Sequence, residues 1–340
     1  MYYNNLEDLI FKRHLKNKAD ELLILGGFIT YLPVEQISKE KIKTTVIYGC
    51  MKNANLNELM HKKYTKLTNE CSNLKVYYKK NYNHSKIYCW IKENNVVEIF
   101  AGSANFSISG LRNDYQEVLF DIKKEDYQET LGFIKNAIED SELCTNHKFI
   151  PRKLTKLKYR DTNLDQIISR SPPAARLSLR SRNGTFHDSG INVGQKKLTG
   201  SNVHIDDCYV PIRSALIDEL PELFPNRGLN IMIGTGYTRD KKKPKSNAEF
   251  LFDDGEVMAI TFEQKGPPRG EGNIYKAFRS FKPNSLLGQY LRKRMKIGSG
   301  KPFKEKDFLN YGRDNIELTL LAEGQYFADF SVKKEKKKSN

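Results

Sequence analysis

Two short apolar segments with polar residues at their ends constrain this chain more than any other feature. Residues 84–91 and 96–101 are mostly apolar, and Glu93-Asn94-Asn95 between them is typical of a turn. They predict two consecutive strands of one sheet. His84 and Lys86 begin the first strand, and their spacing of two places both side chains on one face. Gly102-Ser-Ala-Asn105 closes the second strand, so the turn brings Ser103 and Asn105 close to the first pair.

These side chains suit an attack on a phosphodiester. A neutral imidazole can attack phosphorus and form a covalent intermediate. Lysine and amide donors stabilise the charge that builds on the phosphoryl oxygens, and each donor is worth ~3–4 kcal/mol in comparable sites. An acidic residue such as Glu117 would orient the imidazole and hold it in one tautomer. The predicted catalytic residues, which require no metal, are His84, Lys86, Ser103, Asn105 and Glu117.

The first half of the chain alternates strands with helices. This order predicts an α/β domain over residues 1–150, with a mixed sheet covered by helices on both faces. The predicted helices are 6–18, a short one after Pro33, 55–67 and 127–138, and the further predicted strands are 22–29, 44–48, 74–78 and 117–122.

The second half has a different character. Residues 151–173 are polar and basic, end in Ser-Pro-Pro and are interpreted as a linker. Residues 174–332 predict a β-rich barrel or pseudobarrel with few helices, and residues 333–340 form a basic tail. The predicted strands are 229–233, 249–252, 257–262 and 325–330, and the predicted helices are 212–219, 285–295 and 304–309.

The charge is unevenly distributed between the two halves. Residues 1–150 carry 21 Lys and Arg against 19 Asp and Glu, a net of +2, whereas residues 151–340 carry 36 against 22, a net of +14. A strongly basic second half favours a domain that binds a polyanion, here double-stranded DNA.

Composition also bounds the cellular setting. No apolar run reaches the ~18 residues that a membrane helix needs, and the N-terminus lacks the layout of a signal peptide. The five cysteines are scattered and form no zinc-type pair. We expect a bacterial cytoplasmic protein with reduced thiols and no membrane partner.

His-x-Lys at residue 84 followed by Gly-Ser-x-Asn at residue 102 resembles the motif of the phospholipase D superfamily over residues 1–150. His14-Leu-Lys16 and His61-Lys-Lys63 match only the first half of the motif. The superfamily's usual Asp would fall at Ile91, and the gap to Gly102 is longer than usual. Nuclease members often use a Glu downstream instead, which here matches Glu117 and favours a nuclease over a lipase.

The single copy of the motif has a consequence for assembly. One imidazole cannot serve at once as nucleophile and as acid for the leaving oxygen. Superfamily members use two copies related by a two-fold axis. We therefore expect a homodimer through the N-terminal domain, with one active site built from two copies of His84, and no cofactor.

Two polar loops in the second half could contact DNA. Asn and Gln can pair with adenine, and Lys and Arg suit guanine or phosphate. The segments look like the C-terminal domain of the NgoFVII group of restriction endonucleases, a B-three-like (B3-like) pseudobarrel whose two arms clasp the major groove. The arms map onto about residues 182–204 and 264–282. The predicted DNA-binding residues are Arg182, Asn192, Gln195, Lys196, Lys197, Gln264, Lys265, Arg269, Asn273 and Lys276.

The resemblance implies a Type II-like, sequence-specific restriction endonuclease. It also implies a separately encoded DNA methyltransferase, and some relatives work beside a helicase-like ATPase subunit. One alternative is a nonspecific phospholipase D-family nuclease or phosphodiesterase, and another is a catalytically silent DNA-binding protein. A further alternative is a magnesium-dependent nuclease built from Asp254, Glu263 and Lys265, which fit an acid…Glu-x-Lys layout.

Overall fold

The structure is a computed structural model that divides into two compact units, residues 1–153 with 321–325 and residues 154–320 with 326–340, and each is described by itself. In the described ranges, no helix combines the length and the apolar character needed to cross a membrane. The structure describes residues 1–2, 5–51, 54, 56–112, 117–150, 161–162, 165–181, 183–186, 189–195, 203–224, 246–265 and 275–332.

The first unit contains a mixed seven-stranded sheet, as the sequence predicts. Its strand order is β6-β5-β4-β1-β2-β3-β7, with β1, β2 and β3 parallel and the other pairings antiparallel. The strands are β1 Glu21–Gly26, β2 Lys43–Tyr48, β3 Leu74–Lys79, β4 Ile87–Lys92, β5 Asn95–Gly102, β6 Leu119–Asp121 and β7 Ser141–Leu143. The helices are α1 Leu6–Asn17, α2 Tyr31–Ser38, α3 Glu58–Glu70, α4 Ile108–Arg112 and α5 Tyr127–Glu139.

Helices cover both faces of this sheet because successive strand residues point to opposite sides. Helix α5 packs Leu131 and Ile134 against Cys89, Ile99 and neighbouring side chains on one face. Helix α1 covers the other face. Its Phe11 ring lies 5.9 Å from Phe106, which in turn lies 6.3 Å from Tyr88 on β4.

Strands β4 and β5 form a tight hairpin. Lys92 pairs with Asn95, and the two turn residues Glu93 and Asn94 have positive φ values of 49° and 67°. Two positive φ angles in a two-residue turn match the twist of the flanking strands. The register shifts by one residue between Trp90 and Ile91, which marks a β-bulge opposite them on β5.

The second unit is a β-rich domain built on a nine-stranded sheet, which confirms the predicted pseudobarrel class. The strand order is β11-β14-β13-β12-β16-β15-β10-β9-β8. The strands are β8 Asp161–Thr162, β9 Asp165–Arg170, β10 Pro173–Ser178, β11 Val210–Pro211, β12 Ser246–Phe252, β13 Val257–Lys265, β14 Tyr275–Ser280, β15 Asn315–Ala322 and β16 Gln325–Asp329. The helices are α6 Ser214–Glu219, α7 Leu286–Met295 and α8 Glu305–Tyr311.

One apolar cluster fills this second unit. Phe250, Phe262, Phe278 and Tyr326 contact one another with ring centroids 5.1 to 6.2 Å apart. The sheet also begins earlier than the sequence suggests. Strands β8 and β9 fall inside the predicted linker 151–173, and β9 pairs antiparallel with β10. The predicted strand 229–233 lies outside the described residues.

Candidate active site

The candidate site lies at the edge where the parallel strands β1 and β2 end. Backbone hydrogen bonds join the segments that leave the sheet there. Gly49 N donates to Gly26 O at 2.8 Å, and Asn83 N donates to Gly49 O at 3.0 Å. Strand β4 is antiparallel to β1, so its first residues arrive at the same edge. Ligands bind preferentially beyond the carboxyl ends of strands in open α/β sheets.

His84 and Lys86 precede β4 rather than lying on it. The prediction that both stand on one strand face is therefore wrong, because β4 begins only at Ile87. Lys86 folds back instead, with its Nζ 2.9 Å from His84 Nδ1, 3.0 Å from Nε2 and 2.7 Å from the His84 carbonyl oxygen. The imidazole is exposed, whereas Lys86 is only 7% exposed. A buried ammonium thus lies against an accessible imidazole.

Asn105 joins this pair through the chain that follows β1. Phe28 N donates to Asn105 Oδ1 at 2.9 Å, which orients the planar amide and therefore its Nδ2 donor. A Cβ atom added at Gly27 would lie 2.8 Å from His84 Cδ2, 3.2 Å from Asn105 Oδ1 and 3.2 Å from Lys86 Nζ. The backbone of Gly27 thus lies against three of the five predicted catalytic side chains at once.

Ser103 and Glu117 form a second pair at the same edge. Gly102 N donates to Lys86 O at 3.2 Å, so the two halves of the motif lie opposite each other in the ladder. Ser103 Oγ accepts from Val118 N at 3.0 Å, and the Ser103 side chain interacts with the Glu117 carboxylate. Glu117 therefore contacts Ser103, and its predicted role in orienting the imidazole stays a prediction.

Burial acts on the two charged groups in opposite directions. It lowers the pKa of the Lys86 ammonium below its ordinary value. It raises the pKa of the Glu117 carboxyl, against the effects of the Ser103 hydrogen bond and of the Lys86 charge. Both shifts disfavour the charged form, so the folded protein bears a cost to keep this pair ionised. Such perturbed groups cluster at functional sites.

Sequence reasoning missed three residues of the site. Gly27 follows an apolar strand as the second of two glycines. Such a pair indicates that other groups can approach the backbone closely at this position. Phe28 lies edge-on to the imidazole, with centroids 5.8 Å apart and planes at 77°. Tyr82 lies nearly parallel to it, with centroids 6.1 Å apart and planes at 9°. Nothing in the spacing of these aromatic residues marks them.

The second unit shows a different picture for the predicted DNA-binding residues. Asn192 is 2% exposed, and its amide donates to Phe303 O at 3.0 Å and accepts from Phe303 N at 2.8 Å. This side chain is engaged inside the domain and is not presented to a base. Gln195 and Lys276 are partly exposed. Lys265 and Gln264 end β13. Arg182, Lys196, Lys197, Arg269 and Asn273 lie outside the described residues.

The structure gives no support to the magnesium-site alternative. Asp253 and Asp254 occupy the turn that precedes β13, and both pair with Arg294. Glu263 stands near the far end of that strand, ~20 Å away at about 3.3 Å per residue, and pairs with Arg279 at 2.9 Å. The acidic groups therefore cannot hold one cation together.

Comparisons with known proteins agree with this division of the chain. Residues 4–152 match the family model of the NgoFVII restriction endonuclease N-terminal phospholipase D domain. Residues 167–322 match the model of the NgoFVII C-terminal B3-like DNA-binding domain. Among curated proteins, no sequence matches this chain.

Two solved structures are similar to part of the first unit. NucT from Helicobacter pylori is 20% identical, with 42% of this chain and 93% of that chain covered and a TM-score of 0.31. Polyphosphate kinase from Porphyromonas gingivalis is 15% identical, with 41% and 21% covered and a TM-score of 0.28. Similarities this weak carry no functional argument. The two family models do, and they show that the chain belongs to the NgoFVII family of restriction endonucleases, with a phospholipase D-like nuclease domain followed by a B3-like DNA-binding domain.

Proposed function

We propose that this enzyme is a Type II-like restriction endonuclease that hydrolyses DNA at specific sites, without a metal, through a covalent phosphohistidine on His84. The observation that supports this most is the exposed imidazole held against the buried Lys86 ammonium at 2.9 Å, with the oriented Asn105 amide beside it. A nucleophile and two hydrogen-bond donors for a phosphoryl group stand together there.

In the first step a neutral His84 nitrogen attacks phosphorus, and the bond from phosphorus to the leaving oxygen breaks. That oxygen takes a proton from a second imidazole, in its protonated form. In the second step water attacks the phosphohistidine, gives a proton back to the second imidazole and releases the first one. The same group is thus an acid and then a base.

The second imidazole is His84 of another copy of the chain. His84 is the one histidine that both halves of the motif place at the site, so two roles require two chains. We therefore propose a homodimer through the N-terminal domain with one active site across a two-fold axis.

The remaining site residues stabilise the charge on the phosphoryl group or position the catalytic side chains. Lys86 and Asn105 would donate to the phosphoryl oxygens as charge builds, each worth about 3–4 kcal/mol. Ser103 and Glu117 would position the segment that carries Asn105, since Ser103 Oγ accepts from Val118 N and the Ser103 side chain interacts with Glu117. In the dimer we expect Glu117 also to orient an imidazole.

Site recognition is assigned to the second domain. Gln195, Gln264, Lys265 and Lys276 stay in this proposal, together with the predicted residues outside the described part, whereas buried Asn192 does not. The partners we propose are double-stranded DNA, a separately encoded methyltransferase that protects host sites, and a helicase-like ATPase subunit as in some relatives.

The test is plasmid cleavage in excess EDTA. Wild-type protein should give discrete fragments, because no step requires a divalent ion. His84→Ala should give none and still bind DNA, and the control His61→Ala, outside the site, should cut normally. A smear would indicate a nonspecific nuclease, and activity that requires added magnesium would overturn the mechanism.

A further inference from the structure

The ring of Tyr82 is an exposed flat surface beside the nucleophile. Tyr82 is 60% exposed, which places it among the most exposed large aromatic side chains of the described residues. It nonetheless has a defined orientation, because its ring is within 9° of parallel to the His84 imidazole at 6.1 Å. Most exposed tyrosines belong to ordinary surface, and this one differs in that its plane is aligned with the reacting group.

Local contacts hold the backbone beside the ring in place. The thiol of buried Cys50 donates to Asn83 O at 3.2 Å. Asn83 N donates to Gly49 O at 3.0 Å, and Ser85 N donates to Asn83 Oδ1 at 2.9 Å. The backbone between Tyr82 and His84 is therefore held at Asn83 by the segment that follows β2, which restrains the position of the ring.

We propose that Tyr82 is the stacking platform for a nucleobase next to the scissile phosphate. This rests on the proposed function, which puts a DNA phosphate on His84. A base is joined to its phosphate through one sugar, so a base flanking the reacting phosphate lies within reach of a ring 6.1 Å from the imidazole. Aromatic stacking tolerates any base, because every base has a π-face. The platform would therefore orient the strand without adding sequence preference.

The alternative role of Tyr82 is only to support the His84 ring. The two roles predict different cleavage rates for the Tyr82 variant on DNA that lacks the base. A stacking platform loses its effect on DNA that lacks the base, whereas a support for His84 matters equally on both substrates. Comparing the variant with wild type on both substrates, in the manner of a double-mutant cycle, therefore distinguishes the two roles of Tyr82.

The experiment measures kcat/KM in EDTA on two duplexes that contain a cleaved site. One is intact, and the other has abasic nucleotides on both sides of the scissile phosphate. Tyr82→Ala should lose roughly 5- to 150-fold on intact DNA, which corresponds to the usual strength of one base–aromatic stack. On the abasic duplex Tyr82→Ala and wild type should cleave equally. Tyr82→Phe keeps the ring and should behave as wild type on both.

Phe133→Ala is the matched control, since Phe133 is a 45% exposed aromatic residue on α5 and lies outside the motif. It should leave both rates unchanged. Equal loss by Tyr82→Ala on the two duplexes would overturn the proposal and make Tyr82 a support for His84. Loss in Tyr82→Phe as large as in Tyr82→Ala would overturn it as well, because the hydroxyl rather than the ring would then matter. Failure of wild type to cut intact DNA would overturn the proposed function itself.

Discussion

Gly27 is packed closely against the catalytic side chains of the site. An alanine there would bring its Cβ to 2.8 Å from His84 Cδ2, closer than carbon atoms normally approach. The imidazole would have to move, and small misplacements of a catalytic group cost large factors in rate. We expect Gly27→Ala to lower kcat about 100-fold while the protein stays folded and binds DNA.

The control for that substitution is Gly132→Ala on α5, where an added Cβ meets no atom within 4 Å. It should retain full activity and melt slightly higher, because alanine favours a helix by about 1 kcal/mol over glycine. Single-turnover cleavage and thermal melting measure both effects. Unchanged kcat in Gly27→Ala would show that His84 as placed here is not the nucleophile.

Part of this site could be predicted from the sequence, because the types of the residues matched the chemistry. His84, Lys86 and Asn105 are of the types that phosphoryl transfer requires, and their spacing around a hairpin is local. Gly27 and Tyr82 come from other parts of the chain, and their closeness to His84 depends on how β1, β2 and β4 pair. That pairing is a tertiary property, so spacing alone could not place them.

At the level of elements, the first predicted DNA-binding arm, residues 182–204, is hydrogen-bonded to the loop that precedes α8. Asn192 makes two hydrogen bonds with the backbone of Phe303. Asp206 accepts from Gly300 N at 2.8 Å and pairs with the buried Arg292 at 3.1 Å. These contacts make the base of the arm part of the domain core.

Asn192→Ala should therefore act on stability. It leaves the Phe303 N–H and carbonyl groups buried without partners, at a cost of about 2–4 kcal/mol in the free energy of unfolding of the second domain. Thermal melting would show this as a lower transition. Gln195→Ala, a few residues on, should weaken DNA binding with a smaller change in melting. If Asn192→Ala weakened binding and left melting unchanged, the side chain would be a base contact after all.

Element boundaries show where pattern reading succeeds. Helix α5 was predicted at 127–138 and is Tyr127–Glu139, because its apolar residues recur at helical spacing. The strand predicted at 84–91 begins three residues later, at Ile87, although Lys86 still accepts a hydrogen bond from Gly102 N. Strand β9 was hidden in a predicted linker, because polar composition outweighed a short apolar run.

For the whole molecule, the imbalance of charge between the halves correctly indicated a DNA-binding second domain. The family assignment of residues 167–322 confirms that domain. The recognised bases could not be predicted in the same way, because base contacts depend on side-chain geometry rather than on composition.

The proposed dimer makes a whole-molecule prediction. Co-expression of wild type with His84→Ala in equal amounts should leave about one quarter of the specific activity of wild type, since only pairs with two intact histidines complete the site. The same mixture with Gly132→Ala should stay fully active. Light scattering gives the mass of the assembly. Retention of one half would mean that each chain carries a complete site.

The bulge in the β4–β5 hairpin decides which β5 side chains face the core between the two halves of the motif. Adding one residue to a strand normally turns every later side chain to the opposite face. Here the bulge on β5, opposite Trp90 and Ile91, absorbs one extra residue, and Val96 and Ile99 both pack on the same core cluster although they are three residues apart. Relatives with other gap lengths should differ by pairs of residues or carry their own bulge, so a search for such enzymes should leave that interval open.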